Sequence, residues 1–248
     1  MEVEEGLGDG DRLLMRLKML GLKTCSFLLV LTLVTPHSFA ADKTEALPVP
    51  RDAAPEIVAA DMRYNGAPMQ IIQFTTLDPD DTLKFYRKYF ENNAKQGKYA
   101  EKTTSQRKMI GAMMPDKRLV NVEMKPEGEK TAHVLVSSLD IFKMEIPEKL
   151  ARDIPKMPGS QVIQHQDSRD GSKSNRFVIM ENKQSVEGNA MYLREHYIKA
   201  GWQRDKDVTL KTGEHRQLMF SKENRQLMVD VQKKNRELTI VIYNEMTE

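Results

Sequence analysis

Residues 78–90 read DPDDTLKFYRKYF, and this stretch decides the fold prediction. Asp78 is suited to cap the N-terminus of a helix, and Pro79 to occupy its first position. Leu83, Tyr86 and Phe90 follow at spacings of three and four residues, so a helix places them on one face. Because a single amphipathic helix is not stable alone in water, we expect this face to cover a β-sheet.

A similar stretch follows 107 residues later, where residues 185–197 read SVEGNAMYLREHY. Ser185 is a candidate N-cap, and Ala190, Leu193 and Tyr197 repeat the apolar stripe. Segments rich in β-formers follow each helix and precede it, which predicts strands around both. These segments are 69–75, 108–113, 118–124 and 131–137 for the first helix, and 161–166, 176–180, 216–220, 225–231 and 237–243 for the second.

This order predicts an α+β protein of two tandem β-α-β-β-β modules, each an antiparallel sheet with one helix packed on one face. We assign residues 57–137 to the first α+β module and 160–248 to the second. Residues 138–159, punctuated by Pro147, Pro155 and Pro158, are interpreted as the linker between them. Residue identity between the halves is low, so either a duplication or two unrelated α+β segments explains the pattern.

The first 56 residues have a different character. Basic residues at 16, 18 and 23 precede the apolar run SFLLVLTLV at 26–34, and Ser38-Phe39-Ala40 offers small residues at a cleavage site. Since a spanning helix needs about 20 apolar residues, we predict a signal peptide over 1–40 with cleavage after Ala40. Residues 41–56 are predicted to be an extended linker. The protein is then periplasmic or secreted.

The first fourteen residues are acidic, unlike the start of a signal peptide. This indicates that translation begins at Met15 or Met19. The one cysteine, Cys25, lies within the predicted signal, so the mature chain would have no disulfide.

The composition excludes several classes of protein. Of 248 residues, 40% are hydrophobic and 30% are charged, and the formal net charge is +2. These values do not fit a disordered tail or a disulfide scaffold, and the balanced charge does not indicate binding to nucleic acid. No spanning segment is expected after signal cleavage. We expect one or two globular domains of unknown oligomeric state.

Two residue types could form a metal site. The histidines after Ala40 form no metal-binding motif, and we interpret them as isolated surface residues rather than ligands or general bases; they are His133, His165, His196 and His215. Methionines cluster at Met109, Met113 and Met114, with Met124 nearby. Core packing is the favoured interpretation, with an adaptable partner surface or a copper(I) site as alternatives.

Eight residues are candidates for contact with a partner. Trp202 follows the helix-ending Gly201 and could be an exposed anchor, although packing under the helix end is the more common role. Two basic clusters could meet an anionic surface or lie in solvated turns. They are Lys98, Lys102, Arg107 and Lys108, and Lys233, Lys234 and Arg236.

No catalytic motif is recognised, and we predict no cofactor. The sequence therefore favours an exported, non-catalytic binding or assembly protein of the bacterial envelope, acting through an exposed sheet face or a strand edge. Its partner would be a protein or an envelope component. One alternative is a small-ligand or metal carrier that uses the cleft between the modules. The other is a hydrolase with a site assembled from distant residues.

Overall fold

The computed structural model describes residues 47–58, 61–128, 130–211 and 213–248 of the chain. The predicted signal peptide, its cleavage site and the alternative start residues lie outside the described residues. Among those described, no helix has the length and apolar character needed to cross a membrane.

Thirteen strands and three α-helices form the described part of the chain. The helices are α1 (Pro79–Asn93), α2 (Pro147–Leu150) and α3 (Val186–Lys199). The strands that the first half of the chain supplies are β1 (Glu56–Ile57), β2 (Asp61–Tyr64), β3 (Ala67–Thr76), β4 (Ala100–Thr103), β5 (Lys108–Met113), β6 (Arg118–Pro126) and β7 (Ala132–Asp140). The second half supplies β8 (Gln161–Asp170), β9 (Lys173–Asn182), β10 (Gln203–Lys211), β11 (His215–Lys222), β12 (Arg225–Lys233) and β13 (Thr239–Thr247).

The prediction of two tandem modules, each with its own sheet and helix, is wrong. The strands form one antiparallel sheet in the order β10-β11-β12-β13-β9-β8-β2-β3-β7-β6-β5-β4, with β1 paired to β3. The halves join where β2, already paired to β3, also pairs with β8 over residues 61–64 and 166–169. This ladder satisfies backbone groups that two separate sheets would have left unpaired at their edges.

Both long helices begin as the sequence predicts. The Asp78 side chain accepts a hydrogen bond from the backbone N–H of Asp81 at 2.9 Å, and Pro79 is the first helical residue. The Ser185 hydroxyl accepts from the N–H of Gly188 at 2.9 Å. These bonds satisfy N–H groups that have no partner within the helix.

Each long helix covers its own hydrophobic core. The stripe of α1 packs with residues of β3, β5, β6 and β7, and the stripe of α3 packs with residues of β8, β9, β11, β12 and β13. Residues 47–53 extend the first core, since Leu47, Val49 and Ala53 pack against it. The Tyr86 hydroxyl donates to the carbonyl of Pro48 at 2.9 Å.

Both long helices lie on the same side of the sheet. Arg63 of β2 stands opposite Pro68 of β3 and Asp167 of β8, and residues opposite each other in a sheet share a face. Counting every second residue leads from Pro68 to Phe74 in the core under α1. The same count through the β8–β9 ladder leads from Asp167 to Val178 in the core under α3. We call this side the helix face and the other side the open face.

Candidate binding surfaces

The open face carries rows of mostly apolar residues that run across the strands and are interrupted by Ser168, Gln166 and Asn244. Directly paired residues define each row. One row is Ser168, Met62, Met69, Leu139, Leu119 and Met113. A second is Ala67, Tyr64, Gln166, Phe177, Asn244, Met228 and Met219. Packing against the helices therefore explains the apolar residues of the helix face but not those of the open face.

Methionine is divided between the two faces. Met114, Met124 and Met180 are buried in the helix-face cores or against them, as core packing predicts. A further set lies on the open face: Met62, Met69, Met109, Met113, Met219, Met228 and Met246. The suggested copper(I) cluster does not converge, since Met113 is on the open face and Met114 packs in the α1 core.

On the open face, most carboxylates form ion pairs, whereas several lysines do not. Of its acidic residues, Glu123, Glu181 and Asp230 contact Arg107, Lys234 and His215 respectively, whereas Glu56 and Asp170 take part in no ion pair among the described residues. In contrast, Lys102 of β4, Lys125 of β6 and Lys206 of β10 have no ion-pair partner among the described residues. Lys102 and Lys206 stand opposite Met109 and Met219, so they flank the apolar rows at the two outer edges of the sheet. Within the described part of the chain, the unpaired lysines of this face, with Lys173 added, outnumber the two unpaired carboxylates, so the balance of its unpaired charge is positive.

The structure divides the first basic cluster between the two faces. Lys102 and Arg107 lie on the open-face side, where Arg107 pairs with Glu123 at 2.9 Å. Lys108 points to the helix face and pairs with Asp80 of α1 at 2.8 Å. Lys98 is exposed just after the 3₁₀ turn at 95–97.

The second basic cluster lies at the β12–β13 turn. Lys234 pairs with Glu181 at 2.8 Å, Arg236 is exposed, and Lys233 stands opposite Thr239 on the helix face. Six strands separate β13 from β5 in the sheet, which is about 34 Å at the usual strand spacing. The two basic clusters thus do not form one patch.

Trp202 is a core residue. Its side chain is 7% exposed, and its ring meets the Tyr197 ring edge-on at a centroid distance of 5.6 Å. The guanidinium of Arg225 lies 4.7 Å from the indole centroid on its outer side. This is the packing role under the helix end and does not offer the indole to a partner.

A polar groove of about 520 Å³ lies on the side of the sheet where the two halves join. The residues that line it and belong to the helix face are Asp61, Arg63, Asp167, Arg169, Ser174, Arg176, Glu245 and Thr247. They come from β2, β8, β9 and β13. The groove lies on one continuous sheet at the β2–β8 junction, so it is not a cleft between two separate modules.

Two groups in the groove are held by neighbouring residues. Arg176 donates to the carboxylate of Asp153 at 2.8 Å and to the carbonyl of Leu150 at 2.7 Å. The guanidinium of Arg176 holds the pKa of Asp153 below its usual value. Glu245 accepts from Arg225 at 2.7 Å and from the Tyr243 hydroxyl at 2.8 Å. Arg176 thereby fastens residues 150–153 to the second half of the sheet.

His165 lies buried beside the groove, and the expectation of an isolated surface histidine is wrong for it. It is 3% exposed and receives a hydrogen bond from Arg176 Nε at its Nε2, at 3.1 Å. Its Nδ1 is 3.3 Å from a carboxylate oxygen of Asp167. Burial lowers the pKa of His165, opposed by the Asp167 carboxylate. The lowered pKa and the hydrogen bond that Nε2 accepts from Arg176 both favour the neutral ring.

A second, smaller hollow of about 330 Å³ lies beside α1. Its charged residues are already paired, because Arg87 contacts Glu101 at 2.7 Å and Lys108 contacts Asp80 at 2.8 Å. Among the described residues, no group of three or more His, Cys, Asp or Glu side chains is arranged to hold a metal ion. Neither observation supplies a catalytic constellation.

The sequence analysis did not single out the groove residues. The usable signal was the alternation of His165, Asp167 and Arg169 along one strand, which places three ionisable side chains on one face. Arg63 and Arg176 are far from them in sequence and become neighbours only through the β2–β8 and β8–β9 ladders. Comparison of the chain with protein-family models, curated proteins and solved structures finds no match.

Proposed function

We propose that this is a non-catalytic binding protein that uses the open face of its sheet to hold a segment of a partner protein. The observation that carries the proposal is the composition of that face, where half-buried apolar residues form rows across the strands. Flexible, polarisable methionine side chains adapt to partners of different shape. An extended apolar surface of this kind is typical of an interaction site.

The edge strands are less suited to the role than the face. The register of β10 against β11 is interrupted twice, between Arg204 and Lys206 and between Thr209 and Lys211. The outer edge at β4 is only four residues long and fully exposed. Bulges, charged residues and short length are the features that keep an edge from pairing with another chain.

The charge on the open face selects the class of partner. Three of its carboxylates are paired, and its unpaired lysines, which include Lys102, Lys125 and Lys206, outnumber its unpaired carboxylates Glu56 and Asp170 among the described residues. An apolar segment flanked by acidic residues would contact the methionine rows and place its carboxylates near these lysines. The proposed partner is therefore a protein segment of apolar and acidic residues, such as an acidic amphipathic helix.

The test uses two synthetic 15-residue peptides with the same leucine and methionine positions. One has glutamate at the remaining positions and the other has lysine. We expect the glutamate peptide to bind the protein at least tenfold more tightly at low salt, with the difference reduced near 0.5 M salt because screening weakens exposed charge contacts. Fluorescence anisotropy measures both affinities.

Substitutions at charged residues then test whether the peptide binds to the open face. Lys102→Glu combined with Lys206→Glu should remove most of the preference for the glutamate peptide, whereas Lys199→Glu, on the exposed surface of α3, should leave it unchanged. Equal binding of both peptides, or no binding of either, would contradict the proposal. Export and envelope location remain predictions; detection of the processed chain in a periplasmic fraction tests them.

A further inference from the structure

The four charges nearest the β2–β8 junction form a square of alternating sign on the helix face. Asp61 stands opposite Arg169, and Arg63 stands opposite Asp167. Opposite neighbours have Cβ atoms about 5 Å apart, and residues two apart on one strand are about 7 Å apart. Two positive and two negative groups therefore surround one small area of the groove.

These four charged side chains do not form ion pairs with one another. Within the described residues, Asp61 and Arg169 take part in no ion pair, although they are cross-strand neighbours. Arg63 donates only to the carbonyl of Gly66, at 3.3 Å, and the nearest ionisable group to Asp167 is the neutral ring of His165. The other charged residues of the groove, Arg176 and Glu245, already have partners.

We propose that this groove binds a small zwitterion, a free amino acid or a short peptide with an ammonium and a carboxylate end. The carboxylate would be held by Arg63 and Arg169, whose guanidinium groups suit bidentate contact with carboxylate oxygens. The ammonium would be held by Asp61 and Asp167. The hydroxyls of Ser174 and Thr247 line the same groove and can hydrogen-bond to the ligand backbone.

The groove sets limits on the size of the ligand. Its volume of about 520 Å³ lies within the range of small-molecule sites and exceeds that of a single amino acid. An extended tripeptide is about 10 Å long, and the groove crosses four strands, about 14 Å at the usual spacing. A chain of one to three residues therefore fits the length of the groove. Because the two arginines and the two aspartates lie on crossing diagonals of the square, a free amino acid can contact all four charges, whereas a longer peptide contacts one arginine and one aspartate.

The charged residues of the site lie on the opposite face from the methionine rows, although Ser168 and Asn175 of the open face also line the groove. Loss of one property would leave the other intact. The groove residues are also polar and exposed at their tips, so substitutions there can be made without disturbing either core.

Isothermal titration calorimetry of the full-length protein with alanine, dialanine and trialanine tests the proposal. We expect saturable binding of at least one of them below about 5 mM. N-acetyl-trialanine, which keeps only the carboxylate, and N-acetyl-trialanine amide, which has neither charge, should both bind at least tenfold more weakly. The order of affinities among the three free probes shows whether the source is an amino acid or a peptide.

Variants locate the contacts. Arg169→Gln and Asp61→Asn should each weaken binding by about tenfold or more, since each removes a charged hydrogen-bond partner. Arg51→Gln, which changes an exposed arginine outside the groove, should have no effect, and melting temperatures confirm that all variants fold. No binding of any free probe, equal binding of N-acetyl-trialanine, or unchanged affinity in both groove variants would overturn the proposal.

Discussion

Trp202 illustrates how a residue that resembles an interaction anchor is used inside the protein. It lies against Tyr197 at the end of α3, and Arg225 covers its outer side. Replacement by Ala removes the indole from a site that is 7% exposed and leaves a cavity under the helix end. We predict a loss of about 3–5 kcal/mol in the free energy of unfolding.

Urea unfolding of Trp202→Ala checks this value against Met191→Ala, which truncates an exposed side chain on the same helix. The control should change stability by less than about 0.5 kcal/mol. If Trp202→Ala left stability unchanged but abolished binding of the glutamate peptide, the core assignment of Trp202 would be wrong.

His165 makes stability depend on pH. Its folded-state pKa is lowered from 6.5, mainly by burial, although Asp167 and Asp153 oppose the shift and Arg176 adds to it. The unfolded chain thus binds more protons than the folded chain between the folded-state pKa and 6.5. Stability must fall as the pH is lowered from about 7 through this window.

Unfolding free energies measured by urea between pH 7.5 and 5 should show this decline, and His165→Gln should flatten it. His196→Gln, a substitution on the exposed side of α3, serves as the matched control and should retain the slope of the parent. An unchanged slope in His165→Gln would show that other groups cause the pH dependence.

At the scale of elements, local signals were sufficient for the helices. Both N-caps and both apolar stripes are where the periodicity predicts them, because a helix is defined by contacts within a few residues. The edge strands β4 and β10 were missed. Their residues are almost all exposed and about half are charged, so they lack the alternation that marks a half-buried strand.

The cap of α3 gives a prediction of its own. In Ser185→Ala the N–H of Gly188 loses its acceptor at the helix start, and we expect a loss of about 1 kcal/mol in the free energy of unfolding. Ser185→Asp keeps an acceptor at this position and should retain the parent stability within about 0.5 kcal/mol. A decrease in melting temperature for the Ala variant alone checks both statements. Equal melting temperatures for Ala, Asp and parent proteins would rule out a stabilising cap.

At the scale of the whole molecule, the arrangement of the strands in the sheet was not predictable from local caps and apolar periodicity. The halves are joined by the four-residue strand DMRY at 61–64, which is too short for a periodic pattern and pairs with residues about 105 positions later. The strands with a half-buried pattern were therefore accessible from sequence, but the short strands β1 and β2, the exposed edge strands and the pairing of the strands were not. For the same reason the groove, whose residues meet across β2, β8, β9 and β13, was missed.

Because the strands form a single sheet with both long helices on one side, nearly all the apolar rows that no helix covers lie on the same face. If α1 and α3 had packed on opposite sides, each helix would have interrupted one of these surfaces. With both helices on one side, the rows through Met113 and Met228 belong to the same continuous surface. This surface is the central element of the proposed function.

Site-specific photo-crosslinking tests that function most directly. Benzoylphenylalanine is placed at Met228 on the open face and, separately, at Met191 on the exposed side of α3, in the full chain bound to the fluorescent glutamate peptide. We predict a crosslinked adduct from position 228, suppressed by excess unlabelled peptide, and none from position 191. Adducts from position 191 alone, or equally from both positions, would contradict the assignment of the open face as the binding surface.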